Sequence, residues 1–312
     1  MLSFRVKGRL VLKEVTRMPD APTGSTVPRR QLGRYLRQLR TDARMTVKAA
    51  AEALEWSEAK IWRIETGNTG LRSLDVETIC RVYGAPDHMR LALMGLARET
   101  KSKGWWHAYG DVIPEGFDLY IGLEEAAVSL EQYSPELIPG LLQTPDYYRA
   151  LLKRNRPGLQ PDEIERKVAL RKQRQVLITR VTSPPTLRLV LNEAVIRRPV
   201  GGTEVMADQL NRLAELSELP NVYVRVAPFD RGAHPGFDTG PFIILGFHTS
   251  GDGHDHEPPT VYVQGYTGAL YLDKAHEVAQ YSGAFKNIWE DALSEADSTD
   301  LFRQTAREMH EP

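Results

Sequence analysis

The sequence predicts an α+β chain: an all-helical N-terminal domain followed by an α/β domain with a small sheet. Three observations predict it. From residue 29 to 101 the apolar residues recur at three- and four-residue intervals, the period of a helix. From Pro185 onward that period gives way to alternation, with Leu187, Leu189 and Leu191 set against Arg188, and strand-like and helical runs then take turns. The charge is divided as well. Residues 1–104 hold 20 Lys and Arg against 11 Asp and Glu, a surplus of nine positive charges, whereas residues 105–312 hold 20 against 30, a deficit of ten. Such a division points to one part that meets a polyanion and one that does not.

Composition narrows the class. A hydrophobic content of 41% is enough for proper cores. No run approaches the roughly 20 apolar residues of a membrane span, and residues 1–15 lack the apolar core and small-residue cleavage site of a secretory signal. The single cysteine, Cys80, excludes an internal disulfide and a thiolate-rich metal site. Its place in the amphipathic run 76–82 reads as a buried structural thiol. A cytoplasmic protein without a membrane partner is expected.

Residues 1–28 form a flexible lead-in. Leu10-Val11-Leu12 is a short strand candidate, and Pro19, Pro22, Gly24 and Pro28 break the remainder. Met18 is a second candidate start, which would make 1–17 an extension. Residues 29–101 are the first domain. A basic helix over 29–44 turns Leu32, Leu36 and Leu39 inward and leaves Arg30, Arg34, Arg37, Arg40 and Arg44 on the surface. Two short helices follow within 45–67. Thr46 caps the first, because its hydroxyl accepts an orphan N–H of the first turn. Ala49, Ala50, Ala51 and Ala53 favour helix and are small, and Leu54 points inward. Glu55-Trp56 is the turn and Ser57 the next cap. Ile61 and Ile64 share one face of the second helix, and Thr66-Gly67 ends it, with glycine supplying the left-handed residue. Ser73 caps a fourth helix over 74–83, and a fifth runs over 87–101 with Met89, Leu93, Leu96 and Ala97 inward.

Alanines let the second short helix cross the first closely while its outer face stays polar, the geometry of a helix-turn-helix whose second helix enters the DNA major groove. The run from Ser57 to Gly67, and its end Arg63-Ile64-Glu65-Thr66-Gly67 above all, resembles the recognition helix of Xre-type, lambda-repressor-like regulators. The resemblance implies a five-helix DNA-binding domain. Arg44, Lys48 and Asn68 would then hold phosphates and Glu58, Lys60, Trp62 and Arg63 would face the groove, with the caps Thr46 and Ser57 counted in the same DNA-binding set, although Arg63 is also placed to buttress Glu65. Many members carry Gln just after the first cap, where it braces a backbone contact. Val47 stands there in this chain, so that contact is not carried over.

The second domain, 102–312, begins with a polar hinge and the aromatic cluster Trp105-Trp106. Paired tryptophans mainly supply buried area, and a ligand pocket is the other reading. An amphipathic helix is expected over 117–133, with Tyr120, Leu123, Ala127 and Leu130 on one side. Thr144 caps the next helix, with Pro145 at its first position. The run 161–180 reads as a charged helix with a solvated or partner-facing surface. Strands are expected at 186–191, 222–226, 242–247 and 261–263, a helix at 203–216, a helix from Asp273 as cap to about 293, and an acidic terminal helix. That makes a sheet of four or five strands.

The segments Leu137-Ile138-Pro139-Gly140-Leu141-Leu142-Gln143-Thr144, Glu193-Ala194-Val195-Ile196-Arg197-Arg198-Pro199, Ala233-His234-Pro235-Gly236 and Tyr262-Val263-Gln264-Gly265 are similar to the uncharacterised C-terminal domain of a large actinobacterial family of antitoxin-like regulators. Together with the helix-turn-helix this resemblance covers about residues 29–308. It implies a transcriptional regulator, often with a small partner protein encoded nearby.

The run His248, His254, Asp255, His256 and Glu257 has the residue types of a zinc site, but glycines and prolines bound it and nothing fixes its geometry, so a polar loop is expected and no metal. Trp105, Trp106, Glu193, Arg197 and His234 are the candidates for a ligand or partner site. For Glu193 and Arg197, four apart, an ion pair and a ligand clamp both stand open. No phosphate loop, nucleophile elbow or Cys–His pairing appears, so neither catalysis nor a cofactor is expected. The resulting reading is a homodimeric, sequence-specific regulator of double-stranded DNA whose second domain senses a small protein or ligand. The alternative is an antitoxin that chiefly neutralises a small partner.

Overall fold

The computed structural model describes residues 26–100, 105–114, 117–247, 258–266 and 268–310. The strand candidate at 10–12 and the His-rich run at 248–257 lie outside them. The architecture is α+β, with five N-terminal helices followed by a domain built on a mixed six-stranded sheet.

The helices are α1 Thr26–Asp42, α2 Val47–Ala53, α3 Glu58–Glu65, α4 Ser73–Val82 and α5 Asp87–Glu99. Their core is the set the helical period selects: Leu32, Leu36, Leu39, Ala50, Ala51, Leu54, Ile61, Ile64, Val76, Ile79, Cys80, Leu93 and Ala97. Cys80 is fully buried, and burial pushes its thiol up to about 11. Gly67 and Gly84 end α3 and α4 with φ of +73° and +71°, where a side chain would be strained. Three expectations are corrected. Arg72, not Ser73, occupies the position before α4, and the Ser73 hydroxyl donates to the Met94 carbonyl at 3.2 Å, tying α4 to α5. Arg30 and Arg40 do not cover the surface: Arg30 is buried, and Arg40 is buried in part against Glu65.

In the C-terminal domain a 3-10 turn, Trp105–Tyr109, precedes α6 Phe117–Ala126 and β1 Ser129–Ser134. Then come α7 Pro145–Asn155, α8 Pro161–Thr179, β2 Thr186–Asn192, α9 Glu193–Arg197, α10 Thr203–Leu216, β3 Val222–Ala227, α11 Gly236–Thr239, β4 Phe242–Gly246, β5 Thr260–Gln264, β6 Ala269–Leu272, α12 Ala275–Asp291 and α13 Glu295–His310. The sheet order is β3-β2-β1-β4-β5-β6. β1, β2 and β3 run parallel and β4, β5 and β6 antiparallel, so β1 is the strand where the direction of winding reverses.

The helix expected over 117–133 ends at Ala126, and its second half is β1. The period misleads because β1 is central and covered on both faces, as parallel strands are. Leu130 packs with the helices of one face and Tyr133, three residues on, with those of the other. Leu187, Leu189, Leu191, Val222, Val224 and Val226 bury against α10 and α13, while Val190, Phe242, Ile244 and Val261 bury against Phe285, Ile288 and Trp289 of α12. The result is three layers. The expected four or five strands become six by the addition of β1 and of β6 at the edge. Asp273 does not cap α12, whose preceding residue is Lys274.

Asp273 serves a contact between the two parts of the chain. Arg30 of α1 places Nη2 2.8 Å from Asp273 Oδ2, and its Nη1 donates to Thr260 Oγ1 at 3.3 Å. Beside it α1 packs against α6. Arg29 is buried in the same region, and burial lowers its guanidinium pKa against the opposing charge of Asp118.

Candidate nucleic-acid interface

α2 and α3 are fixed by short-range chemistry. The Ala49 N–H donates to Thr46 Oγ1 at 3.1 Å, and the Lys60 N–H donates to Ser57 Oγ at 3.2 Å. Between the helices Glu55 takes the left-handed conformation, φ +54°, and Trp56 N–H closes the turn on the Ala51 carbonyl at 2.9 Å. Ile61 and Ile64 anchor α3 in the core. α1 crosses α3 at Gly33, where a Cβ would stand 2.5 Å from the Ile64 carbonyl oxygen. Arg40 grips both oxygens of Glu65, at 2.6 and 2.8 Å, and donates a third bond to the Met45 carbonyl at 2.8 Å. The hydrogen bonds to Glu65 hold the Arg40 guanidinium above its ordinary range. Glu65 is therefore braced by Arg40, and Arg63 projects outward.

The nine residues expected at DNA all lie on or beside α2 and α3. Arg44, Thr46, Lys48, Ser57, Glu58, Arg63 and Asn68 are exposed. Trp62 is 59% exposed, a large aromatic surface turned to solvent. Lys60 is half-buried, with its ammonium 3.3 Å above the centre of the Trp56 ring, a cation–π contact that gives the side chain a defined direction. Asn68 donates to Thr66 Oγ1 at 2.8 Å, which itself donates to the Trp62 carbonyl, so the loop after α3 is held against the helix end.

The five candidates in the C-terminal domain are not gathered into one pocket. Trp105 and Trp106 meet edge-on at 6.0 Å. Trp105 Nε1 donates to Glu125 at 3.2 Å, and Trp106 packs with Val112, Ile121 and Leu170. Arg197 Nε donates to Glu193 at 3.2 Å and its Nη1 to Glu308 at 2.9 Å, while Glu193 also accepts the Phe229 N–H at 2.9 Å. His234 packs edge-on against Tyr133 with ring centres 5.4 Å apart, and its Nδ1 accepts the Gly236 N–H at 3.1 Å. Burial lowers the His234 pKa.

A cavity of about 540 Å³ opens at the carboxyl end of β1. Its walls come from α6, β1, the 137–143 segment, α7, α8 and the adjoining ends of β4 and β5. None of the five candidates lines it. At its base Arg174 donates two bonds to Glu124, both 2.8 Å, and Glu124 also accepts the Tyr120 hydroxyl at 2.9 Å. Burial alone would lower the Arg174 guanidinium pKa, but the Glu124 charge and hydrogen bonds raise it overall. Burial pushes the neighbouring Tyr262 hydroxyl up to about 12. The expectation of a solvated or partner-facing surface over 161–180 holds for Glu165, Arg166 and Lys172, which are exposed, and is corrected for Lys167, Arg171 and Arg174, which α8 turns to this wall. Their spacing of four and three residues puts them on one helical face, which is the signal by which they were open to discovery. Among the described residues no group of three or more His, Cys, Asp or Glu is placed to hold a metal, and no helix is long and apolar enough to cross a membrane.

Two family models match the chain. One described as a helix-turn-helix domain matches residues 31–93, and one described as a domain of unknown function, DUF5753, matches residues 117–304. No curated protein matches it.

Proposed function

Since the chain belongs to the DUF5753 family and carries a helix-turn-helix domain ahead of that region, we propose that it is a sequence-specific, double-stranded-DNA-binding transcriptional regulator. The observation that carries this is the outward face of α3. Glu58, Trp62 and Arg63 stand in solvent on a helix whose inner face is locked by Ile61, Ile64 and the Arg40–Glu65 fork. The surplus of nine positive charges in residues 1–104 favours the same partner, because neutralised phosphates release counterions. One helix-turn-helix reads one half-site, so the protein acts as a homodimer on half-sites about 34–36 Å apart. Its place of action is the cytoplasm, on the nucleoid. The Xre-type character, and an antitoxin-like role with a small protein encoded nearby, are supported by the motif resemblances. The C-terminal domain biases DNA binding in response to what it holds and is not an enzyme.

Chromatin immunoprecipitation of wild type and a Lys60→Ala, Arg63→Ala double variant tests the reading. Sharp peaks in wild type that vanish in the folded variant are expected, since each well-formed base contact contributes about 1–3 kcal/mol. Absence of peaks in both, with a stoichiometric small protein copurifying, overturns it in favour of a partner-neutralising antitoxin.

A further inference from the structure

The cavity at the carboxyl end of β1 has three properties that together define a class of occupant. The first is position. In open α/β sheets ligands sit outside the carboxyl ends of strands, at the strand where winding reverses. In this sheet that strand is β1, and Ser134 and Glu136 at its end line the cavity beside Phe242 and Ile243 of β4. A volume of about 540 Å³ suits a small molecule.

The second property is charge. Among the described residues, the cavity lining carries four cations, Arg156, Lys167, Arg171 and Arg174, and two carboxylates, Glu124 and Glu136, within a region whose net charge is ten negative. Arg174 is neutralised by Glu124. Arg171 is not. Its Nη1 donates to the neutral amide oxygen of Gln143 at 2.7 Å, its plane lies 3.6 Å from the centre of the Tyr148 ring, and among the described residues no carboxylate stands within ion-pair distance of it. Burial, with repulsion from Arg174, pulls its guanidinium below the ordinary range against the opposing influence of Tyr148 and the more distant Glu124, so Arg171 is a half-buried cation with no carboxylate paired to it among the described residues. Among the described residues Lys167 likewise bonds a carbonyl and no carboxylate, Val112 O at 2.7 Å.

The third property is that the arrangement is built. A Cβ on Gly140 would run into the Arg171 guanidinium. Gln175 donates to the Gly140 carbonyl at 3.0 Å and to the Gln143 carbonyl at 2.7 Å, fixing the segment that holds Arg171. The Pro139-Gly140-Leu141-Leu142-Gln143 run therefore shapes a cradle for one guanidinium. Beside it Phe117 and Tyr120 stack with ring centres 5.2 Å apart, and Tyr262 lies 4.4 Å from Tyr120.

We propose that this cavity binds a small organic anion, its carboxylate or phosphate head on Arg171 and Lys167 and its apolar body against Phe117, Tyr120 and Tyr262. The regulatory consequence rests on the DNA-binding reading above. Two walls of the cavity, α6 and β5, are also the elements that hold α1, by direct packing and through the Arg30–Thr260 bond. An occupant pressing on Tyr120 and Tyr262 thereby bears on the seat of the helix-turn-helix.

The test is a fluorescence titration of the full chain with 8-anilinonaphthalene-1-sulfonate, an aromatic monoanion, and with N-phenyl-1-naphthylamine, its uncharged counterpart. Wild type should hold the anion at least ten-fold more tightly than Arg171→Met, with the neutral dye bound equally by both. Equal affinity of the two proteins for the anion overturns the proposal. A second readout needs no variant. Benzoate or phenyl phosphate should displace the anionic dye from wild type where benzyl alcohol at the same concentration does not, and the more effective of the two identifies the head group. Equal displacement by benzyl alcohol overturns the proposal. DNA affinity is read separately, by anisotropy on a random-sequence duplex at low salt. Failure there with intact discrimination between the dyes leaves the anion site standing and removes only the regulator reading.

Discussion

The N-terminal helices and the cavity of the C-terminal domain are each organised by an arginine that forks onto a glutamate, yet they direct their remaining charge in opposite senses. Arg40 and Glu65 have side chains 12% and 7% exposed, and around them Arg44, Lys48 and Arg63 point to solvent. Arg174 and Glu124 are 7% and 2% exposed, and the neighbouring Arg171 and Lys167 turn inward. A surplus turned outward on a small helical surface suits a polyanion that approaches from bulk water. A surplus turned inward, in a region negative overall, suits an anion small enough to enter. The comparison shows that net charge speaks about large partners only, and that the direction of individual cations decides what else a domain can hold.

The largest way to break the comparison is to remove the inner carboxylate. Glu124→Leu leaves Arg174 buried without a counter-charge and should cost about 3–5 kcal/mol in denaturant unfolding. A loss below about 1 kcal/mol would mean that the inner pair behaves like a surface pair. Alkali probes the helical side. The folded pKa of Cys80 lies near 11, above its ordinary value, so the unfolded chain loses that proton first as pH rises. Stability from this group is complete below about pH 8 and falls by about 2–3 kcal/mol by pH 11. Urea unfolding at the two pH values should show a smaller fall for Cys80→Ala. Next, Arg40→Ala should destabilise the helices by about 2 kcal/mol, the scale of lost hydrogen bonds to a charged group. It should also weaken DNA binding although Arg40 itself does not face solvent, whereas Lys60→Ala with Arg63→Ala should leave the melting temperature nearly unchanged. The smallest effect is at the caps. Thr46→Ala and Ser57→Ala should each cost about 1 kcal/mol, read from the melting temperature.

The sequence made the helix-turn-helix legible because its determinants are local. Thr46 and Ser57 cap within three residues, the alanines and the Ile61–Ile64 spacing mark their helices locally, Gly67 ends α3 by its own φ, and each is found in the expected role. The cavity was hidden for the opposite reason. Arg174 meets Glu124 and Arg171 meets Gln143 across 50 and 28 residues of chain, so in the sequence the cations of α8 read as a solvated or partner-facing surface. Arg30 looked exposed because Asp273, which buries it, stands 243 residues away. β1 has the sequence of a helix because Tyr120, Leu123, Ala127 and Leu130 keep a helical spacing straight through the boundary at Ala126. The single thiol was legible in full, because an amphipathic helix fixes which of its residues face inward.

Gly67 joins matters that genetics would otherwise keep apart. It ends the recognition helix in the left-handed conformation, and a Cβ placed there would meet the Arg30 backbone nitrogen at 2.9 Å. Arg30 is the same residue that reaches Thr260 and Asp273. A methyl group at position 67 thus displaces the start of α1 as well as distorting the motif. A Gly67→Ala allele isolated for failing to bind its operator should therefore be rescued by second-site suppressors, and these should fall around residues 260 and 273 as well as within the first hundred residues.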